Sequence, residues 1–183
     1  MPQLTAEDRT FLAAHLTGSL ERTLAAISDL RPEQWNFKPD AETWSIAECA
    51  DHIAAVERRV LHMVSVQMQA AAAEPERAAA VHGKERMLLK AVTSRERRVK
   101  VPVAIKPDGH AGSPAEFATH FREMREKTLD YVRGTDHPMH DRVIPHFVLE
   151  DLDGCQWLLM IALHTERHVS QMEEVKAHPK YPA

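Results

Sequence analysis

Gly154-Cys-Gln-Trp-Leu-Leu-Met-Ile-Ala-Leu-His164-Thr-Glu-Arg-His168-Val-Ser-Gln171-Met-Glu-Glu-Val175-Lys-Ala177 is the stretch that decides the fold. It reads as one helix of roughly 36 Å, at about 1.5 Å per residue, with Asp151 or Asp153 as its candidate cap. Each residue turns a helix by about 100°, so His164 and His168 stand about 40° apart on one face. Trp157, Met160, Ile161, Met172 and Val175 share that arc, which makes it the inward side. Both histidines therefore face the interior. Trp157–Leu163 is apolar nearly all round, which predicts burial deep among helices or at a dimer seam.

Three more long helices are expected upstream. The first runs from Thr5 to Leu30, with Leu12, Leu16, Leu20, Leu24 and Ile27 at helical spacing, Thr5 and Asp8 as a capping pair, and Pro32 beyond its end. The second starts at the capping box Ser45-Ile-Ala-Glu48 and runs to about Ala73. Its apolar stripe is Ile53, Val56, Val60, Met63 and Val64. The third starts at Ser113-Pro-Ala-Glu116, turns Phe117, Phe121, Met124 and Thr128 inward, and stops near Gly134. A segment with Trp35, Phe37 and Trp44 covers one end. A short helix from Lys84 to Thr93 lies in the long crossing before Gly112, and a second crossing spans Thr135 to Gly154. Strand-like alternation is nearly absent; its best case, Arg98-Val-Lys-Val-Pro-Val, is spoiled by Pro102. The expected class is all-α, a four-helix bundle with long crossover connections, in one domain over residues 1–183.

Composition narrows the function classes. With 44% apolar residues, 183 residues suffice for a packed core. The net charge of −4 gives no general attraction to nucleic acid. No run is long and apolar enough for a membrane span, and the first residues do not read as a signal peptide. Cys49 and Cys155 give no disulfide framework, so a reducing cytoplasm is the expected compartment.

On the second helix the same arithmetic sets His52 beside Cys49, Val56, Met63 and Val66, at the edge of an apolar arc. Two helices thus direct three imidazoles inward. Neutral imidazole is the commonest metal ligand, and three protein ligands leave positions open for water or substrate. The alternative is a set of core histidines that hydrogen-bond one another. His164-Thr-Glu-Arg-His168 is not the zinc-protease pattern, since Thr165 stands at the glutamate position.

Trp44-Ser45-Ile46-Ala47-Glu48 with His52-Ile53, and later His164-Thr-Glu-Arg-His168-Val-Ser-Gln171, resemble the DinB/YfiT-like superfamily over roughly residues 8–177. The resemblance implies a crossed-over four-helix bundle, often a homodimer. It implies a divalent metal, zinc or nickel, on His52, His164 and His168. It also implies a transferase acting with a low-molecular-weight thiol on a small-molecule substrate. A non-catalytic metal or small-ligand binding protein is the alternative, and a purely structural bundle a third.

Each neighbour carries two readings. Glu48 is the third residue of a capping box, or orients a ligand or accepts a proton. Gln171 hydrogen-bonds a metal-bound water, or is an ordinary buried amide. Cys49 is a small buried hydrophobe or a further ligand. Arg167 points about 60° from His164 and solvates the surface. The basic run Arg95–Lys100 is a solvated loop, or steers an anionic thiol; it lacks the aromatics that stack on bases. His110, His120, His137, His140 and His146 are expected mostly at the surface.

Overall fold

The computed structural model describes residues 3–96 and 105–183. Helix α1 spans Ala6–Ile27, and Thr5 and Asp8 form the reciprocal cap foreseen for it. A single turn, α2 (Pro32–Trp35), seats the Trp35 ring in the core. Helix α3 (Ile46–His62) begins at the Ser45/Glu48 capping box and passes into a π turn, Met63–Gln67, before α4 (Met68–Ala70). Helices α5 (Pro75–Val81) and α6 (Glu85–Thr93) follow. Helix α7 (Pro114–Gly134) starts at Ser113, and α8 (Gly154–Lys176) at Asp153.

The π turn corrects one helical-wheel expectation. Val66, placed inward beside His52 at a uniform 100° step, is 51% exposed. An i→i+5 turn uses more residues per revolution, so phase counted from His52 does not carry through it.

A second departure lies between α7 and α8. Strands β1 (Val143–His146) and β2 (Glu150–Asp153) pair antiparallel, with Ile144 opposite Leu152 and His146 opposite Glu150. Four-residue strands carrying Pro145 and three acidic residues give little alternation to read. In a two-stranded ribbon both strands are edges, where proline is tolerated. The Arg98–Val103 run lies outside the described residues. Helix α5 was likewise not foreseen.

Helix α8 packs against α1, α3 and α6, and α1 also packs against α7. The Trp157–Leu163 patch is buried within this chain. The fold is predominantly helical. Among the described residues two large apolar clusters fill it, one around Leu12, Leu16, Val60 and Leu158, the other around Trp35, Ile53, Phe121 and Met172, and a small third joins Ala78, Val81 and Val143.

A buried polar network that was not read from the sequence joins α1, α3, α7 and α8. Arg125 of α7 donates from Nε to Glu57 Oε1 of α3 and from Nη2 to Oε2, both at 2.9 Å. Its Nη1 donates to Ser19 Oγ (2.6 Å) and to the Leu16 carbonyl of α1, and Nη2 also reaches Thr165 Oγ1 of α8 at 3.3 Å. Thr128 Oγ1 donates to Glu57 at 2.7 Å. Every helix of this network thus contributes a partner. Unpaired charges in such a place would be strongly destabilising.

No helix among the described residues is long and apolar enough to cross a membrane.

Candidate metal centre

His52, His164 and His168 converge between α3 and α8. Each offers a ring nitrogen within 4.8 Å of the others, with His52 and His168 buried and His164 half-buried. His164 Nε2 lies 3.2 Å from His52 Nε2 and 3.2 Å from His168 Nε2. Tetrahedral nitrogens at about 2.1 Å from one ion stand roughly 3.4 Å apart, so the spacing fits a shared cation.

The outer nitrogens decide where the protons sit. His52 Nδ1 lies 2.6 Å from the Ile105 carbonyl, which can only accept, so Nδ1 carries hydrogen. His168 Nδ1 lies 3.0 Å from Gln171 Oε1. Arg95 Nη1 donates to that same oxygen at 3.2 Å, which fixes which end of the amide faces the ring. In the neutral rings both Nε2 atoms are therefore bare lone pairs, and both face His164 Nε2. A proton on His164 could satisfy one of them and not the other.

Burial pushes the His52 pKa below the ordinary imidazole value. His164 and His168 are pushed well below it, by burial first and then by the neighbouring rings. At neutral pH the cluster is uncharged, the form in which imidazole binds metals.

Local folding explains the placement. The Ser45/Glu48 cap starts α3 so that His52 falls two turns later on the inward face. Asp51, the residue before it, accepts backbone N–H bonds from Asp108 (2.7 Å) and Gly109 (2.9 Å). That anchors the loop whose Ile105 carbonyl holds the His52 ring. Trp44 stacks on His168, with planes 23° apart and centroids at 5.8 Å, and lies 4.9 Å from His52. Trp44 thus walls the cluster as well as covering one end of the helices. The roles of Asp51 and Ile105 were not legible, since neither has a local partner.

Glu48 is the cap residue and takes an ion pair from Lys38 at 2.8 Å; it does not orient a histidine. Gln171 holds His168 directly. Cys49 is wholly buried, and burial pushes its thiol pKa up. Arg167 is half-buried and reaches the Val92 carbonyl at 3.5 Å, so it is not a plain surface residue. Arg95 pairs with Glu174 at 2.6 Å, whereas Arg97, Arg98 and Lys100 lie outside the described residues.

His110 and His120 are exposed, but His137, His140 and His146 correct the surface expectation: all three are half-buried, and His137 Nδ1 lies 3.1 Å from the Tyr131 hydroxyl. His140 lies between Asp153 (2.9 Å) and Asp8 (3.2 Å), which raise its pKa to about 9. His146 packs against Trp157 at 5.3 Å, and its Nδ1 accepts the backbone N–H groups of Val148 and Leu149, both at 3.1 Å. Partners far along the chain, or in an unrecognised hairpin, left no sequence signal.

A mostly helical chain with an inward histidine cluster on two long helices is what the sequence resemblance implied. The chain belongs to the DinB superfamily, whose model matches residues 15–172 and so takes in all three histidines. It is similar to a Bacillus subtilis (strain 168) protein described as uncharacterized protein YuaE, at 28% identity over 150 residues, 82% of this chain and 88% of that protein. No solved structure matches it significantly.

Proposed function

We propose that His52, His164 and His168 bind a divalent metal, zinc or nickel, and that the protein is a metal-dependent transferase acting with a low-molecular-weight thiol on a small molecule. One observation carries the metal: two Nε2 lone pairs, each fixed by a hydrogen bond on the far side of its ring, face a third nitrogen that can satisfy only one of them. A shared cation satisfies all three, which a set of hydrogen-bonded core histidines does not. The reading places this site in a four-helix bundle of α1, α3, α7 and α8 with crossover connections, in one domain.

A divalent ion held by the three rings would supply Lewis acidity and open positions for a thiolate or an electrophile. The chain's own part is to hold the rings. Ile105 and Gln171 set their tautomers, and Trp44 excludes water from one side. Family resemblance supports the thiol. The burial of His52 and His168 favours the second reading, a metal-binding protein without turnover, because little of the cluster meets solvent. A homodimer, also implied by the resemblance, would need a face other than Trp157–Leu163; light scattering at working concentration decides it.

Elemental analysis of protein purified without added metal or chelator, followed by Zn²⁺ and Ni²⁺ titration of the stripped chain, tests the metal. Binding that His168→Ala sharply weakens is expected. A chain that carries no metal and refuses both ions overturns the reading. A panel of thiols and electrophiles, assayed on fully loaded protein, separates the transferase from the silent binder.

A further inference from the structure

We infer that Asp8, His140 and Cys155 form a second metal site, one that takes a zinc-like divalent ion on carboxylate, imidazole and thiolate donors. It lies where the start of α1 meets the start of α8, and it does not depend on the three-histidine cluster.

The three donors approach within 4.8 Å of one another. His140 is arranged as metal-binding histidines are. Its Nδ1 donates to the Asp153 carboxylate at 2.9 Å, which turns Nε2 toward Asp8 Oδ2 at 3.2 Å. The Cys155 side of the cluster is an independent observation. The residue is 2% exposed, and among the described residues its thiol makes no hydrogen bond, yet its sulfur points into the cluster. A buried sulfur with a carboxylate and an imidazole beside it is a borderline-soft donor set of the kind zinc accepts.

The backbone holds this geometry. Gly154 N–H donates to the Met139 carbonyl at 2.8 Å. A Cβ at Gly154 would come within 2.6 Å of Met139 Sδ and 3.2 Å of Met139 Cα and O. The residue before His140 is therefore pressed onto the residue before Cys155. The Asp8 and His140 side chains keep 27% and 19% of their exposure, which leaves an ion a way in and room for water as a further ligand. Without metal, both ring nitrogens of His140 face carboxylate oxygens, Nδ1 that of Asp153 and Nε2 that of Asp8. As the ion enters, His140 gives up its Nε2 proton and Cys155 its thiol proton to solvent, and the ion takes both freed lone pairs.

Cobalt titration of the metal-stripped full chain tests the site, because thiolate ligation adds a near-ultraviolet charge-transfer band that an all-histidine site lacks. The expected result is a band that saturates within about two equivalents of Co²⁺ in the original chain, where both sites fill, and within about one equivalent in His164→Ala. It should survive His164→Ala and Cys49→Ser and vanish in Cys155→Ser. Absence of the band, or its persistence in Cys155→Ser, overturns the proposal. Asp8→Asn, which keeps the thiol, should weaken the band-forming step by about tenfold or more, as loss of a charged ligand does; unchanged affinity also overturns it. Loss of the three-histidine site alone would leave the band intact, so the two readings fail separately.

Discussion

Arg125 and Glu57 meet at 2.9 Å with both side chains wholly buried, although they lie 68 residues apart in the chain. Arg125→Met should therefore destabilise the metal-free protein by about 3–5 kcal/mol, because it strands a buried carboxylate. Replacing both, as Arg125→Met with Glu57→Leu, should recover most of that loss. Urea unfolding of the single and double variants measures it. Equal losses in the two would mean that the pair itself, not the stranded charge, sets the cost.

Gln171 holds the His168 ring through Nδ1, and Arg95 holds Gln171. Gln171→Leu should cut zinc affinity by about tenfold or more while leaving the helical circular dichroism unchanged. Competition against a chromophoric chelator reads the affinity. An unchanged value would show that the amide does not orient the ligand.

Burial lowers the His146 pKa from its ordinary value, and the two backbone N–H groups facing Nδ1 leave no room for a proton there. The unfolded chain protonates near pH 6.5, while the folded ring resists until its lower pKa. Below about pH 6.5 the unfolded state thus binds more protons, and the stability from His146 falls as pH falls through that window. It is fully present above it. His146→Asn keeps an acceptor without the titration, so its metal-free stability should decline less between about pH 7 and 5.5 than that of the original chain. Parallel declines would remove His146 as the cause.

Gly154 has no space for a side chain against Met139. Gly154→Ala should cost about 1–3 kcal/mol through overpacking, despite alanine's better helix propensity. It should also weaken the Cys155-dependent cobalt band, because His140 follows Met139. Thermal unfolding checks the first effect and the titration the second. A more stable variant would show that the crossing segment yields freely.

Local chemistry was legible at the starts of the long helices. The caps at Thr5, Ser45 and Ser113 pair residues three apart, and the structure forms each of them. The inward turn of His164 and His168 follows from a four-residue spacing on one uninterrupted helix. Where a helix is not uniform the same arithmetic fails, as Val66 beyond the start of the π turn shows.

By itself, then, the sequence determined the long helices, their starts and the faces that carry the histidines, because i,i+3 and i,i+4 relations are set by backbone geometry alone. Only the tertiary structure decided what meets those faces. His52 reaches His164 across 112 positions, Arg95 reaches Gln171 across 76, and His140 reaches Asp8 across 132. Such pairings depend on how helices cross and loops return, and no periodicity encodes that. The three histidines were readable as inward-facing. The carbonyl and the amide that fix their protons, and the buried thiol beside His140, became visible only once the chain was folded.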